Sequence, residues 1–399
     1  MSHLRPRKDN IPHFSYHSNT ANLPLMSDII NKKLILVIGA TGAQGIAVID
    51  KLLEPAADGS PSPYAVRALT RDPASRRAKL LADKRVELAK GAFDDLPSVY
   101  AALEGVWGAW VNTDGFTVGE VKELYAGMRI FELAKQVGTV RHYVWSNLDY
   151  SFKKGGYNPT YRVEHYDGKG RVGEWMQAQP SVVSDHDMSW SIVTSGPYME
   201  MLNIGMFGPI GQRKDGTFVF ASPIGKGHVP MIALEDLGFF ARYTFDHRAE
   251  TSGKDLEIAT DWVDWDYLVK TFTKVTGEKA VVLHRTFDEW SEIFVRTDHP
   301  VANERAFGDG STTWRQNFVG FWAQWRDDVI RRNFDWLRKV NPNGYTLESW
   351  MRAKNYNGKI NQRALSKNTG AVEATTLLKS MEDDKAILLN KEAIARLLV

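Results

Sequence analysis

The residues best suited to chemistry fall in two clusters. The first is Gly39, Gly42 and Gly45 in "VIGATGAQG", a GxxGxxG spacing that closes an apolar run and opens a stretch of helical periodicity. Glycines at such a break leave backbone N–H groups and a helix N-terminus uncovered, and the missing side chains let phosphate oxygens come close. That arrangement suits a dinucleotide pyrophosphate. The second cluster is "EHYDGK", which gathers Glu164, His165, Tyr166 and Lys169. A histidine titrates near neutrality, although a lone one also serves as a structural hydrogen-bonder. Glu164 beside His165 is too little for a metal, and the ten histidines show no HExxH-like spacing, so no metal site is expected.

The next apolar run tells which dinucleotide fits. An acid at its end would bond a ribose 2′-OH, whereas a base accommodates the 2′-phosphate of NADP. Here "VRALTRDP" places Thr70 and Arg71 there, with Arg76 and Arg77 close behind. NADP(H) is favoured over NAD(H), and Asp72 alone pulls the other way.

Behind these residues stands an alternation of short apolar runs and helical stretches. Strands are expected at 34–38, 65–69, 86–88, 108–112 and 142–146, with helices at 44–53, 73–83, 96–104 and 119–137. Four β-helix-β units in succession imply an α/β fold with a doubly wound parallel sheet covered on both faces. The stretch 54–64, rich in Pro, Gly and Ser, reads as a surface loop. After Tyr150 the pattern loosens into a Gly- and Pro-marked loop, then resumes as a helix at 169–177 and a sixth strand at 190–194. Ligands of open α/β sheets bind at the carboxyl ends of the strands. Asn147, Tyr198 and Glu200 lie on segments that converge there.

Four regions follow: a flexible leader at 1–30, with Met26 as a candidate second start; a dinucleotide-binding domain at 31–195; a smaller, mainly helical substrate-binding region at 196–358; and a peripheral helical tail at 359–399. Of the thirteen tryptophans six fall between 284 and 356. Phe318, Phe321, Trp322, Trp325, Val329 and Trp336 recur every three or four residues and read as one amphipathic helix packed on the core. An aromatic wall over a pocket, or a homodimer face, is the alternative.

Fifty basic and forty-eight acidic residues among 399 give a net charge of +2, so no overall field points to nucleic acid or membrane. The absence of cysteine excludes disulfides, thiolate metal sites and a cysteine nucleophile, and fits the cytoplasm. The apolar runs fall short of the roughly 20 residues of a membrane span.

In sum of motifs the chain resembles the NmrA-like family of atypical short-chain dehydrogenase/reductases, in a fungal form with a C-terminal extension. The resemblance rests on "VIGATGAQG", "VRALTRDP", "KGAFDDLPSVYAALEGVWGAWVNTD", "FELAKQVGTVRHYVWSNL", "HYDGKGRVGEW", "SIVTSGPYMEML", "VPMIALEDLG" and, near 345, "YTLESWM". It implies that Gly39, Thr41, Gly42, Ala43, Gln44, Gly45 and Ile46 hold the pyrophosphate, and Thr70 and Arg71 the adenosine ribose phosphate. Phe93 would flank the adenine beside Ala92, where the family usually has an acid. Thr113, Asp114 and Gly115 would run along the cofactor, and Pro197 and Tyr198 would border nicotinamide and substrate. Met128 replaces a lysine common in some relatives.

Ordinary short-chain reductases pair a serine after the fifth strand with a tyrosine four residues before a lysine, which lowers the tyrosine pKa. Ser146 is present, but His165 stands four before Lys169, and Tyr166 is one place out of register. Isoflavone reductase-like relatives also lack that tyrosine and work through the lysine. The resemblance thus implies Lys169 as ribose contact and proton-transfer group, with His165, Tyr198 and Asn147 as further catalytic candidates. The expected activity is NADP(H)-dependent reduction of a C=O, C=N or C=C bond in a bulky apolar small molecule of secondary metabolism. A redox-sensing regulator without catalysis and a non-redox cyclase or isomerase are the alternatives.

Overall fold

The computed structural model describes residues 32–56, 58–359 and 389–399; the expected leader and most of the expected tail lie outside them. The first half runs β1 (Lys33–Ile38), α1 (Ala43–Leu53), β2 (Tyr64–Thr70), α2 (Arg76–Asp83), β3 (Glu87–Lys90), α3 (Leu96–Leu103), β4 (Gly108–Val111), α4 (Gly115–Val118), α5 (Glu120–Gln136), β5 (His142–Leu148), α6 (Ser151–Lys154), α7 (Glu164–Gln177) and β6 (Ser189–Ser195). The second half runs β7 (Pro209–Gln212), β8 (Phe218–Ser222), β9 (Val229–Met231), α8 (Leu234–Asp246), α9 (Arg248–Thr251), β10 (Asp255–Glu257), β11 (Asp261–Val263), α10 (Trp265–Thr276) and β12 (Ala280–His284). Five helices follow: α11 (Phe287–Ser291), α12 (Trp314–Arg326), α13 (Phe334–Val340), α14 (Leu347–Ala353) and α15 (Lys391–Leu397).

Seven strands form one sheet in the order β3-β2-β1-β4-β5-β6-β10, every neighbouring pair parallel. The order reverses between β1 and β4, which opens a crevice beyond their carboxyl ends. Side chains of β1 alternate between two cores. Ile35 and Val37 pack with Ile46, Ile49 and Leu52 of α1 and Leu237 and Phe240 of α8. Leu36 and Ile38 pack with Leu103 of α3, Phe131 of α5 and Val172 of α7. Burial on both faces is why this strand reads as an unbroken apolar run. The six expected strands stand within two residues of their expected ends, and β10 is an edge strand that the sequence pattern did not show.

Two helices depart from expectation. α7 begins at Glu164 rather than at 169, so His165 and Tyr166 are helical. Gly168, which reads as loop, and Gly170 and Gly173, inside the expected helix, let neighbours close in. A Cβ at Gly170 would stand 2.5 Å from Tyr150 Cα, one at Gly173 3.0 Å from the Asn147 amide, and one at Gly168 3.1 Å from Glu123. Asp167 secures the first turn by accepting the Val163 and Phe152 backbone N–H groups at 2.9 and 3.0 Å. The expected single aromatic helix stops at Arg326, and Asp328 follows with φ of +47°. Trp336 belongs to α13 and stacks on Phe240 in the other core.

The C-terminal half has its own core, in which Trp265, Trp290, Trp322, Trp325 and Trp350 are all buried. Besides helices it holds a three-stranded sheet, β12-β8-β7, and a β11-β9 pair, strands too short to announce themselves by alternation. It is fastened to the strand ends by Arg332, which bonds both Asp149 oxygens at 3.1 and 2.7 Å and the carbonyls of Ser195 and Ile258 at 3.2 Å. Among the described residues no helix is long and apolar enough to cross a membrane.

Candidate functional site

The glycine loop joins β1 to α1 over the sheet's crevice. Gly39 takes φ of +80°, and a Cβ there would stand 2.8 Å from the Asn112 carbonyl oxygen. A Cβ at Gly45 would lie 2.3 Å from the Gly39 carbonyl oxygen, so the helix could not sit this close to the strand. Gly42 caps α1 without a side-chain hydrogen bond, and the first turn carries no acid to occupy its N–H groups. From α2, Arg77 donates to the Thr41 carbonyl at 3.1 Å and steadies the loop. Arg71 is exposed just past β2, and Phe93 is half-buried beyond β3.

Lys169 is fully engaged. Its ammonium meets the Thr113 carbonyl at 2.8 Å, Thr113 Oγ1 at 2.9 Å, Asn112 Oδ1 at 3.3 Å and Glu123 Oε1 at 2.9 Å. Thr113 Oγ1 donates in turn to Glu123 Oε1 at 2.7 Å. Glu123 is completely buried, and its second oxygen has no partner. Room for that carboxylate comes from glycine on two facing helices, since a Cβ at Gly115 would stand 2.4 Å from Glu123 Oε2. Sequence reasoning missed Glu123. The readable signal was an acid on the buried stripe that Ala126, Gly127 and Ile130 continue along α5.

A second group hangs from the glycine loop. Ser146, at the end of β5, donates to Gln44 Oε1 at 2.7 Å, and Gln44 Nε2 donates to the Tyr198 hydroxyl at 3.3 Å. Gln44 thereby joins a serine 102 residues away to a tyrosine 154 residues away. Burial, with the Glu200 charge, pushes the Tyr198 phenol up to about 12, so it keeps its proton at neutral pH. Pro197 precedes it, its carbonyl accepting from Ile232 N–H at 2.9 Å.

None of the remaining candidates is hydrogen-bonded to that group. Asn147, one residue beyond Ser146, projects to the opposite face of the sheet, where it accepts from Trp145 Nε1 at 3.0 Å and donates to Thr194 Oγ1 at 2.9 Å. His165 lies one turn before Lys169 on α7, bonded to Asn317 of α12 and enclosed by aromatic rings. Tyr166 packs into the C-terminal core against Phe321 and Trp325. Glu200 accepts from the Leu234 N–H at the start of α8 and from Trp350 Nε1, and burial pushes its carboxyl up to about 7. Among the described residues no group of three or more His, Asp and Glu could hold a metal ion.

Residues 31–306 match the model of the NmrA-like family. This chain belongs to the NmrA-like family. Among curated members it is 29% identical over 261 residues to an NmrA-like family domain-containing oxidoreductase of Aspergillus hancockii, a match covering 62% of this chain and 74% of the other. Another, from Aspergillus versicolor, is 38% identical over 123 residues, 30% of this chain and 33% of its own. Two solved structures are similar to this NmrA-like fold. NmrA, a negative transcriptional regulator in complex with NAD, superposes with TM-score 0.60 at 18% identity, covering 81% of this chain and 95% of the other. An NADPH-dependent quinone oxidoreductase from Escherichia coli, complexed with NADPH, gives TM-score 0.58 at 17% identity, covering 80% of this chain and 99% of the other. At those identities the likeness is one of fold.

Proposed function

We propose that this NmrA-like protein is an NADP(H)-dependent oxidoreductase that reduces a C=O, C=N or C=C bond in a bulky apolar small molecule of secondary metabolism. The observation that carries the reading is the Ser146–Gln44–Tyr198 run suspended from the glycine loop. Its direction matters. Because Gln44 donates to the Tyr198 oxygen, the phenolic proton is left to be given elsewhere.

The residues present fit the cofactor. The close-set glycines and the uncapped first turn of α1 suit a pyrophosphate, and the exposed Arg71 suits a 2′-phosphate. Nicotinamide, when bound, supplies the hydride. Tyr198, protonated at neutral pH, would protonate the reduced substrate. Lys169, with four acceptors around three N–H bonds, ties the end of β4 to Glu123 of α5. Further support comes from the curated relatives, named oxidoreductases, and from a solved neighbour that binds NADPH. For a bulky apolar substrate the support is Phe116, an exposed ring on α4 directly after the crevice strand β4.

The test follows NADPH absorbance with bulky ketones, imines and enones as substrates. Tyr198→Phe is expected to lower kcat on any substrate found by about 10²-fold or more while leaving NADPH affinity unchanged. An equal kcat would remove Tyr198 from the reading.

A sensor reading has one observation in its favour: the similar NmrA structure is of a transcriptional regulator. Binding of NADPH with no turnover, together with nucleotide-dependent capture of a partner protein, would support it. A cyclase or isomerase would leave the product mass equal to that of the substrate.

A further inference from the structure

Asn317 of α12 decides which nitrogen of His165 carries the proton. The Glu164 backbone N–H donates to Asn317 Oδ1 at 2.9 Å, which fixes the amide with its NH₂ end toward the imidazole. His165 Nδ1 lies 2.8 Å from Asn317 Nδ2 and 3.3 Å from Oδ1; with Oδ1 already taken by the Glu164 N–H, the shorter contact assigns Nδ2 as donor to the ring nitrogen. A ring nitrogen that accepts holds no proton, so in the neutral ring the proton sits on Nε2. The ring is kept neutral by its surroundings. Phe116 lies 4.5 Å away, Tyr166 5.0 Å, Phe318 5.6 Å and Phe321 5.7 Å, and burial together with the Lys169 charge pushes the imidazole down to about 3.

Among the described residues His165 is hydrogen-bonded through Nδ1 alone, and the residue keeps 8% of its surface exposed. His165 lies one helical turn from Lys169, whose ammonium reaches Thr113 just after crevice strand β4, and beside a Phe116 ring that is 39% exposed. A neutral imidazole N–H can polarise a carbonyl without surrendering its proton.

We propose that His165 Nε2–H is a substrate-facing hydrogen-bond donor whose tautomer Asn317 sets, and that it selects a carbonyl oxygen next to an aromatic ring that stacks on Phe116. His165 thus contacts the substrate, and Asn317 is a positioning residue acting through it. The inference rests on the reductase reading for the origin of the substrate, and on the hydrogen-bond geometry alone for the tautomer.

The experiment is nitrogen NMR of the histidine-labelled full chain, with saturating NADP⁺ and benzophenone as probe. His165 Nδ1 is expected to resonate as an unprotonated nitrogen and Nε2 as a protonated one, with Nε2 shifting as benzophenone is added. Asn317→Asp keeps the bond to Glu164 but can only accept from the ring, so a proton appears on Nδ1. His165→Phe keeps the stacking and loses the donor; benzophenone affinity is expected to fall about tenfold while NADP⁺ affinity holds. Protonated Nδ1 in the unsubstituted protein, Nε2 unmoved up to the solubility limit of benzophenone, or unchanged affinity in His165→Phe would each overturn the proposal. Failure to bind NADP⁺ counts against the reductase reading instead, and the tautomer is then read from the nucleotide-free protein.

Discussion

Lys169 Nζ stands 2.9 Å from Glu123 Oε1, an ion pair between α7 and α5 in which the carboxylate is wholly buried. Losing one member of such a pair leaves the other uncompensated, at a cost of about 3–5 kcal/mol, whereas replacing both with apolar groups costs far less. Lys169→Met and Glu123→Leu are each expected to destabilise by about that amount, and the double variant by clearly less than their sum. Urea denaturation of the four proteins measures the cycle. Strictly additive effects would mean that the two charges do not depend on each other.

Gly45 and Gly42 should differ as cofactor residues. A Cβ at Gly45 meets the Gly39 carbonyl oxygen at 2.3 Å, but one at Gly42 stands 3.2 Å from it. Gly45→Ala must therefore push α1 off the loop. NADPH affinity, followed by nucleotide fluorescence, is expected to fall more than about tenfold, or 1.4 kcal/mol, in Gly45→Ala and less in Gly42→Ala. The reverse order would contradict the cradle geometry.

Arg71 is exposed beyond β2, where the proposed function has it meet the 2′-phosphate. A charge-assisted hydrogen bond contributes about 1.5–3 kcal/mol. Arg71→Ala is expected to weaken NADPH binding by about tenfold or more and leave NADH binding nearly unchanged; equal losses for both nucleotides would place the 2′-phosphate elsewhere.

Glu200 makes stability depend on pH. Burial raises its carboxyl from 4.5 to about 7, so between those values the folded chain keeps a proton that the unfolded chain has released. Stability from this group is accordingly highest at the acid end of the window and falls as pH rises through it, by an amount on the order of 3 kcal/mol above pH 7. Glu200→Gln is expected to match the unsubstituted protein near pH 5 and to melt higher at pH 8. Parallel melting profiles across that range would show that the carboxyl does not hold its proton.

Much of the sheet was legible because its strands are buried on both faces and appear as continuous apolar runs, and the glycine loop because its spacing reflects a local turn. The start of α7 was not legible: Gly168 belongs to a Gly-marked stretch that looks like loop until Glu123 is seen against it. The links Ser146–Gln44–Tyr198, Lys169–Glu123 and His165–Asn317 were hidden for a related reason. Each joins residues brought together only by the fold, across as many as 154 positions, and periodicity carries no record of such meetings. Asn147 illustrates the converse, since its place beside Ser146 in the chain puts it on the other face of the sheet.

The central claim is that this chain moves a hydride from NADPH to a bulky apolar substrate. Deuterium-labelled NADPH, with each face of nicotinamide C4 labelled in turn, tests it directly by mass spectrometry of products from bulky aromatic ketones, imines and enones. The account predicts a product carrying one deuterium from one of the two labelled cofactors, and its loss in Tyr198→Phe. Tight NADPH binding with no deuterium in any product would contradict it.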